Sequence, residues 1–442
     1  CALPILRKRK LWIAMLCVLL CGILTAVDLN EKAALEHRDL YVNALEAENK
    51  VKNQLFLLMS DETAGYFTTL SKKSEELKAA IQKKDWKNVN KSFAEVNLLQ
   101  ARRVSALYKT RNYDLYYHDY ITQEDTLQTL RKERGLPEFT DSEIAADWAN
   151  EFMMGDETQM FPYYQFTARF YDQLEKQHID TLTYSTTDSS TLIVQFIRSL
   201  FPILPVILIT LLCFDMIHED KDSGVLKTLL SQPRKRIHYL HQKMRSNMAA
   251  LTAIFLVPLL LLSLCFAMFD HYDRVQAPVL ANVHGLTSLE QMENTLTETE
   301  VNNAMTYTLG ITRYFSIPYH VQSPNTKFDL MPMWQFTGYV IVMALLVIAF
   351  CMLLNLLFNV ICQNKMVSLV LTLAILLLGM GIAQPQNMEA WFAWLPFTYF
   401  NPVEILSGYS SYTYLHGILT LTLSCSLLYV ITRWIFQRKD AA

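Results

Sequence analysis

No G-x-x-x-x-G-K-[ST] stretch occurs in the 442 residues, so the chain does not itself cradle a nucleotide. H-E-x-x-H and G-x-S-x-G are absent as well, which removes the signatures of a zinc protease and of a serine hydrolase. Cysteine is missing from every long polar segment. Cys1, Cys17, Cys21, Cys213, Cys265, Cys351, Cys362 and Cys425 all lie in or beside apolar runs. That placement argues against a disulfide framework and makes the thiols small hydrophobes. No Cys/His spacing suggests a metal, no cofactor is expected in this chain, and no internal repeat is evident.

Charge is missing from six long runs: Leu11–Val27, Leu192–Phe214, Met248–Phe269, Trp334–Ile361, Met366–Ala383 and Leu415–Phe436. Each is close to or above the roughly 18 residues that cross about 30 Å of hydrocarbon as a helix. In lipid the backbone must satisfy its own hydrogen bonds, so these runs read as α-helical spans. "RKRK" before the first run also fits a signal peptide. Without a convincing small-x-small cleavage site, and with Trp12 at its start, a retained span is the favoured reading. The chain opens at Cys1 without Met, and further residues are expected upstream.

Lys and Arg mark cytoplasmic flanks. They cluster at Arg7–Lys10, Pro233–Arg236 with Lys243 and Arg245, Lys365, and Arg433, Arg438 and Lys439. With six spans all four clusters fall on one side, and both termini are then cytoplasmic. The expected fold is an all-α polytopic membrane protein. It has six transmembrane helices, a re-entrant exterior helix pair before the last, and a large helical extracellular domain between spans 1 and 2. The units are 1–27, cytoplasmic N-terminus and first span; 28–191, extracellular helical domain; and 192–269, second and third spans with a cytoplasmic coupling helix at about 219–236. A second extracellular segment, 270–333, follows, with Ser288–Gln291 in capping-box form for a helix start. The last unit, 334–442, holds spans four to six and a re-entrant segment at about 388–409.

The spans carry no midplane acid of the kind that ion-coupled transporters use as relays. Arg198 is placed to snorkel outward from the second span, and His416 lies near the outer end of the sixth. Asn355 and Asn359, four apart, share one helix face, for helix-to-helix hydrogen bonding or for lining a path. The tyrosine-rich "YDLYYHDY" at Tyr113–Tyr120 reads as packing with a wet rim rather than as a ligand site. Motion without internal charge relays needs energy from a partner.

A charged stretch, "FDMIHEDKDSGVLKTLLSQPRKRIHYLHQK" (Phe214–Lys243), separates the second and third runs. After Glu219, Asp220 and Asp222, Ser223-Gly224 breaks the chain. Val225, Leu226, Leu229 and Leu230 then fall on one face of a short helix that ends at Pro233. By composition alone this is equally a helix lying on the membrane surface.

The stretch resembles the acidic-x-x-SGTL-x-x-LLS-x-P-x-x-R signature of type 2 ABC exporter permeases, with Val225 where Thr is common. The six-span layout, the exterior insertion after span 1 and "LPFTYFNPVEILSGY" (Leu395–Tyr409) extend the resemblance. It implies that Glu219, Asp220, Asp222, Ser223, Gly224, Val225, Leu226, Leu229, Leu230 and Pro233 dock on a cytoplasmic ABC ATPase dimer. It also places Pro396, Tyr399, Asn401, Pro402 and Glu404 at a re-entrant exit region. ATP and Mg would be bound by the ATPase, not by this non-enzymatic chain. The expected partners are that ATPase, a second permease copy or paralogue and the lipid bilayer, without nucleic acid. The expected setting is a bacterial plasma membrane, and the expected cargo a peptide, lipid or drug moved outward. The alternative is a membrane-anchored sensor whose extracellular domain binds a ligand; an intramembrane hydrolase lacks paired acids in the spans.

Overall fold

The computed structural model describes residues 8–57, 61–110, 126–145, 161–224, 236–284, 305–316, 327–383, 390–409 and 412–438. Helix α1, Lys8–Leu57, runs 50 residues without a break. At 1.5 Å per residue that is about 75 Å, more than twice the hydrocarbon thickness. Its apolar half crosses, and from Asp28 onward the same helix continues as a charged rod. α2 (Asp61–Gln82) packs along that rod, with the start of α3 (Trp86–Thr110) beside it, and α4 (Asp141–Ala145) and α5 (Phe161–Lys176) pack in turn on α2 and α3, with a further helical stretch over 126–133.

This helical domain has its own interior. Tyr66, Phe67, Leu70, Leu98, Leu99 and Leu127 form one buried cluster. A second, around Phe166, Phe170 and Leu174, is shared with Leu280, Val283 and Leu309 from the segment after the third span. Arg134 is buried between Asp172 and Glu175, each with an oxygen 2.6 Å from Nη2.

The first apolar run after the domain is not one helix. α6 (Leu192–Leu200) and α7 (Leu204–Cys213) meet at a 77° bend, and α8 (His218–Asp222) follows α7. The cause is Pro202, which has no N–H to give the Arg198 carbonyl and whose ring clashes with that carbonyl. The expectation of a single helix over Leu192–Phe214 is corrected accordingly.

α9 (Arg236–Asp270) leads to a segment that contains strands, which the sequence reading did not foresee. β1 (Pro278–His284) pairs antiparallel with β4 (Lys327–Pro332), and β2 (Met305–Leu309) with β3 (Thr312–Ser316). The helix start expected at Ser288–Gln291 and the Tyr113–Tyr120 cluster both lie outside the described residues. α10 (Met333–Ile361) follows, then α11 (Lys365–Ile382). Two 3-10 turns, Ala390–Trp394 and Pro396–Tyr399, and the six-residue α12 (Pro402–Ser407) stand where a helix pair was expected. α13 (Tyr414–Arg438) is last.

Among the described residues five helices are long and apolar enough to cross a membrane, and the bent pair makes six. The chain is an all-α polytopic membrane protein with two small β ladders among the described residues. α10 is the central helix, buried on most of its surface; α1, α11 and α13 leave most of theirs to the surroundings. The seven cysteines among the described residues are free thiols.

Arg134 tests whether the helical domain is held by its interior. Removing one member of a buried ion pair costs about 3–5 kcal/mol. Arg134→Ala is therefore expected to lower the melting midpoint of the purified protein clearly. Lys176→Ala, which removes an exposed partner of Asp172, is expected to shift it little. Equal midpoints for the two variants would contradict the assignment.

Candidate functional site

Basic flanks from distant parts of the chain gather at one end of the bundle, around α8. Lys10 lies 3.5 Å from Asp215, Lys243 2.6 Å from Asp220, and Lys365 3.9 Å from Asp222. Tyr239 of α9 stacks on Phe436 of α13 and donates its hydroxyl to Asp220 at 2.6 Å. Asp220 therefore clamps α8 onto α9. Glu219 is half-buried, while Asp222 and Ser223 are exposed. Gly224, at φ +72°, turns the chain away from α8. Val225, Leu226, Leu229, Leu230 and Pro233 lie outside the described residues.

Near the basic end, in the last turns of α10, Asn355 and Asn359 are buried and face the bent span. Asn355 donates to the Thr210 carbonyl at 3.4 Å, and Asn359 to the Cys213 carbonyl at 3.2 Å and to Asn355 Oδ1 at 2.8 Å. The pair thus ties α10 to α7.

The opposite end is a buried polar junction. Arg198 is only 9% exposed. It does not snorkel outward. Its guanidinium lies 3.6 Å above the Tyr184 ring and donates to the carbonyls of Ile311 at 2.9 Å and Tyr184 at 3.1 Å. Burial holds the Tyr184 phenol above its ordinary range, against the pull of Arg198. The Arg198 carbonyl, orphaned by Pro202, faces Asn401 Nδ2 at 3.5 Å.

Glu404, 6% exposed on α12, is ion-paired with Arg313 of β3. The Arg313 guanidinium also lies 4.4 Å over the Tyr409 ring. Burial works against the charge on Arg313, and the Glu404 carboxylate more than offsets it, so its pKa is raised. Gly408 ends α12 at φ +86°, and an added Cβ there would meet the Val283 backbone at 2.5 Å. No L side chain fits both conditions.

The rest of the re-entrant segment is wedged by aromatic packing. Phe397 and Phe400 meet Phe350 of α10 edge-on, and Tyr399 donates to the Ala393 carbonyl at 2.8 Å. Pro396 and Pro402 each open a short helical turn. Trp394, exposed, meets His416 edge-on at 4.8 Å.

A strap over residues 183–191 closes the junction. Ser185 donates to Glu36 of α1, backbone N at 2.9 Å and Oγ at 2.6 Å. Asp188 accepts from the backbone of Ser190 and Thr191 and from Arg274 at 2.8 Å. Ser189 bonds Asp270 at the end of α9 through N at 2.7 Å and through Oγ. Gln195 donates to the carbonyls of Tyr184 and Thr186, both at 2.8 Å.

The structure thus brings Asn401, Glu404 and Arg198 to one junction and leaves the acidic stretch at the other end. Sequence reasoning did not find Arg313, Tyr184, Glu36 or Asp188. The signal for the strap was visible as "TYSTTDSST" directly before an apolar run, a run of cap-forming residues. Arg313 carried none, because it reaches Glu404 across 91 positions.

Bent span, central α10 and two polar ends define a multi-pass membrane protein with a basic face at one end and a buried polar junction at the other. The profile of the ABC-2 family transporter proteins matches residues 3–441, nearly the whole chain. The protein belongs to that family and is a membrane permease subunit of an ABC transporter, a class that associates with an ATPase subunit. None of the curated proteins compared and none of the solved structures compared matches the chain.

Asp220 supplies the test of the inner end. Hydrogen bonds to charged groups contribute about 1.5–3 kcal/mol. Asp220→Ala removes two such partners and is expected to destabilise the purified protein, whereas Asp222→Ala is not, its ion pair being long and exposed. Unchanged melting of Asp220→Ala would refute the clamp.

Proposed function

We propose that this permease is an exporter subunit, driven by a cytoplasmic ATPase dimer that docks on the stretch after Gly224. The observation that carries the reading is the Asp220 clamp. It holds α8 to α9 at the end where Lys10, Lys243 and Lys365 converge, immediately before the stretch that serves in this reading as the docking handle. With the basic end cytoplasmic, both termini are cytoplasmic and the helical domain is extracellular.

Two permeases, identical or paralogous, pair in the membrane of the cell, bacterial in this reading. ATP and Mg are bound by the ATPases. Their closure pushes the handle, and the bent span carries the displacement outward. Cargo leaves between the two permeases near Pro396, Tyr399, Asn401, Pro402 and Glu404. A hydrophobic or amphipathic cargo suits a bundle with no midplane acid.

Leu229→Asp tests the docking. If Val225, Leu226 and Leu229 fill a groove on the ATPase, the new charge is buried without a partner at a cost of several kcal/mol, each 1.4 of which is about tenfold in affinity. Co-purification of the ATPase and its hydrolysis rate should both collapse, and Glu219→Gln should change them little. Retention of both by Leu229→Asp would remove the main support for the reading.

Orientation has its own test, in a background stripped of native cysteine. Lys83→Cys, exposed after α2, should react with an impermeant thiol reagent in intact cells. Ser223→Cys should react only after lysis. Labelling of Ser223→Cys from outside would invert the topology.

A further inference from the structure

The turn between β2 and β3 is where three otherwise separate parts of the molecule meet. Leu309 pairs with Thr312, so Gly310 and Ile311 form a two-residue connection. Gly310 takes the first central position at φ +53°, the place a type II′ connection reserves for glycine. Its open side is filled by the extracellular domain: an added Cβ would lie 2.6 Å from Phe170 Cζ of α5. Leu309 is buried in the same cluster as Phe166, Phe170 and Leu174. The Ile311 carbonyl takes the guanidinium of Arg198 at the bend of the second span. Two residues on, Arg313 holds Glu404 and covers Tyr409 of the re-entrant segment. Five consecutive residues therefore touch the extracellular domain, the bent span and the exit region.

We propose that Leu309–Arg313 is an outer coupling element, by which the position of the extracellular domain sets the position of the re-entrant segment. The bonds point to transmission rather than release. Glu404 is a buried carboxylate whose ion-pair partner among the described residues is Arg313. Parting them would leave the Glu404 carboxylate buried without this partner, so α12 and the hairpin move together. Phe170 on the far side holds the hairpin to α5 by close ring packing, which resists deformation. A ligand or partner that shifts α5 thereby shifts α12. This role in export rests on the exporter reading, but the coupling is a property of the permease alone and is measured without an ATPase.

The reporter is Ser407→Cys, placed on α12 at a position now 2% exposed, in a cysteine-free background reconstituted into phospholipid vesicles. Its rate of modification by an impermeant maleimide is the readout. Arg313→Gln should raise that rate about tenfold, equivalent to about 1.4 kcal/mol off the closed junction. Phe170→Ala, in the extracellular domain, should raise it to a similar degree, and Phe170→Leu less in the same direction.

The double variant Phe170→Ala with Arg313→Gln should exceed neither single by much, because both interrupt one line of contact. Exchanging the charges, Arg313→Glu with Glu404→Arg, should return the rate towards that of the parent, which a general loosening of the fold would not do. The proposal is overturned if Phe170→Ala and Phe170→Leu leave the Ser407→Cys rate at the parent value. It is equally overturned if the charge exchange reacts as fast as Arg313→Gln alone. Failure of the unmodified chain to retain an ATPase would count against the exporter reading and leave this coupling standing.

Discussion

A guanidinium buried at the edge of a membrane must find partners within the protein, and Arg198 finds them in backbone carbonyls rather than in a carboxylate. Carbonyls are available only where backbone is not consumed by helix or ladder, so the chain around Arg198 is irregular on every side. The strap supplies the Tyr184 carbonyl, the hairpin turn supplies that of Ile311, and Pro202 bends the span away at the next turn. In the hydrocarbon region exposed irregular backbone is not tolerated; here it is buried in protein. The junction is the structure that satisfies this one cation, and the helical domain and the segment 390–409 are both fastened to it.

The second span also links the two ends of the molecule. At the basic end α8 is clamped to α9 through Asp220, just before it Asn355 and Asn359 reach the last carbonyls of α7, and at the opposite end sits Arg198. The magnitudes differ along this line. Interhelical hydrogen bonds in membranes contribute about 0.6 kcal/mol on average, so the asparagine contacts set register without locking it. Arg313–Glu404 joins a buried carboxylate to a guanidinium that is one-third exposed, so breaking it costs less than the roughly 3–5 kcal/mol of a fully buried pair.

Much of this was legible in the sequence, and for identifiable reasons. Apolar runs announce spans because lipid excludes charge, and the Lys/Arg clusters that flank them do converge at one end. The aromatic stretch broken by Pro396 and Pro402 did not allow another full span, and it folds as short turns wedged against α10. Pro202 was equally visible, but its consequence was underread, because proline in membrane helices is often absorbed without a sharp bend. The strands at 278–284 and 327–332 were hidden because partners almost fifty residues apart leave no local period. Arg198 was read as a snorkelling cation because nothing local in "QFIRSL" shows the hairpin that covers it. Contacts made across long sequence separations are what composition and periodicity do not carry.

If the permease works as an exporter subunit, events at the docking handle reach the Arg198 junction through the bent span. The most direct measurement compares the reactivity of a single cysteine in place of Ser407 in the permease–ATPase complex, nucleotide-free and trapped with ATP and vanadate. The account predicts a clear change in rate between the two states, and no change when Leu229→Asp prevents docking. Identical rates in both states, with the ATPase bound and turning over, would contradict it.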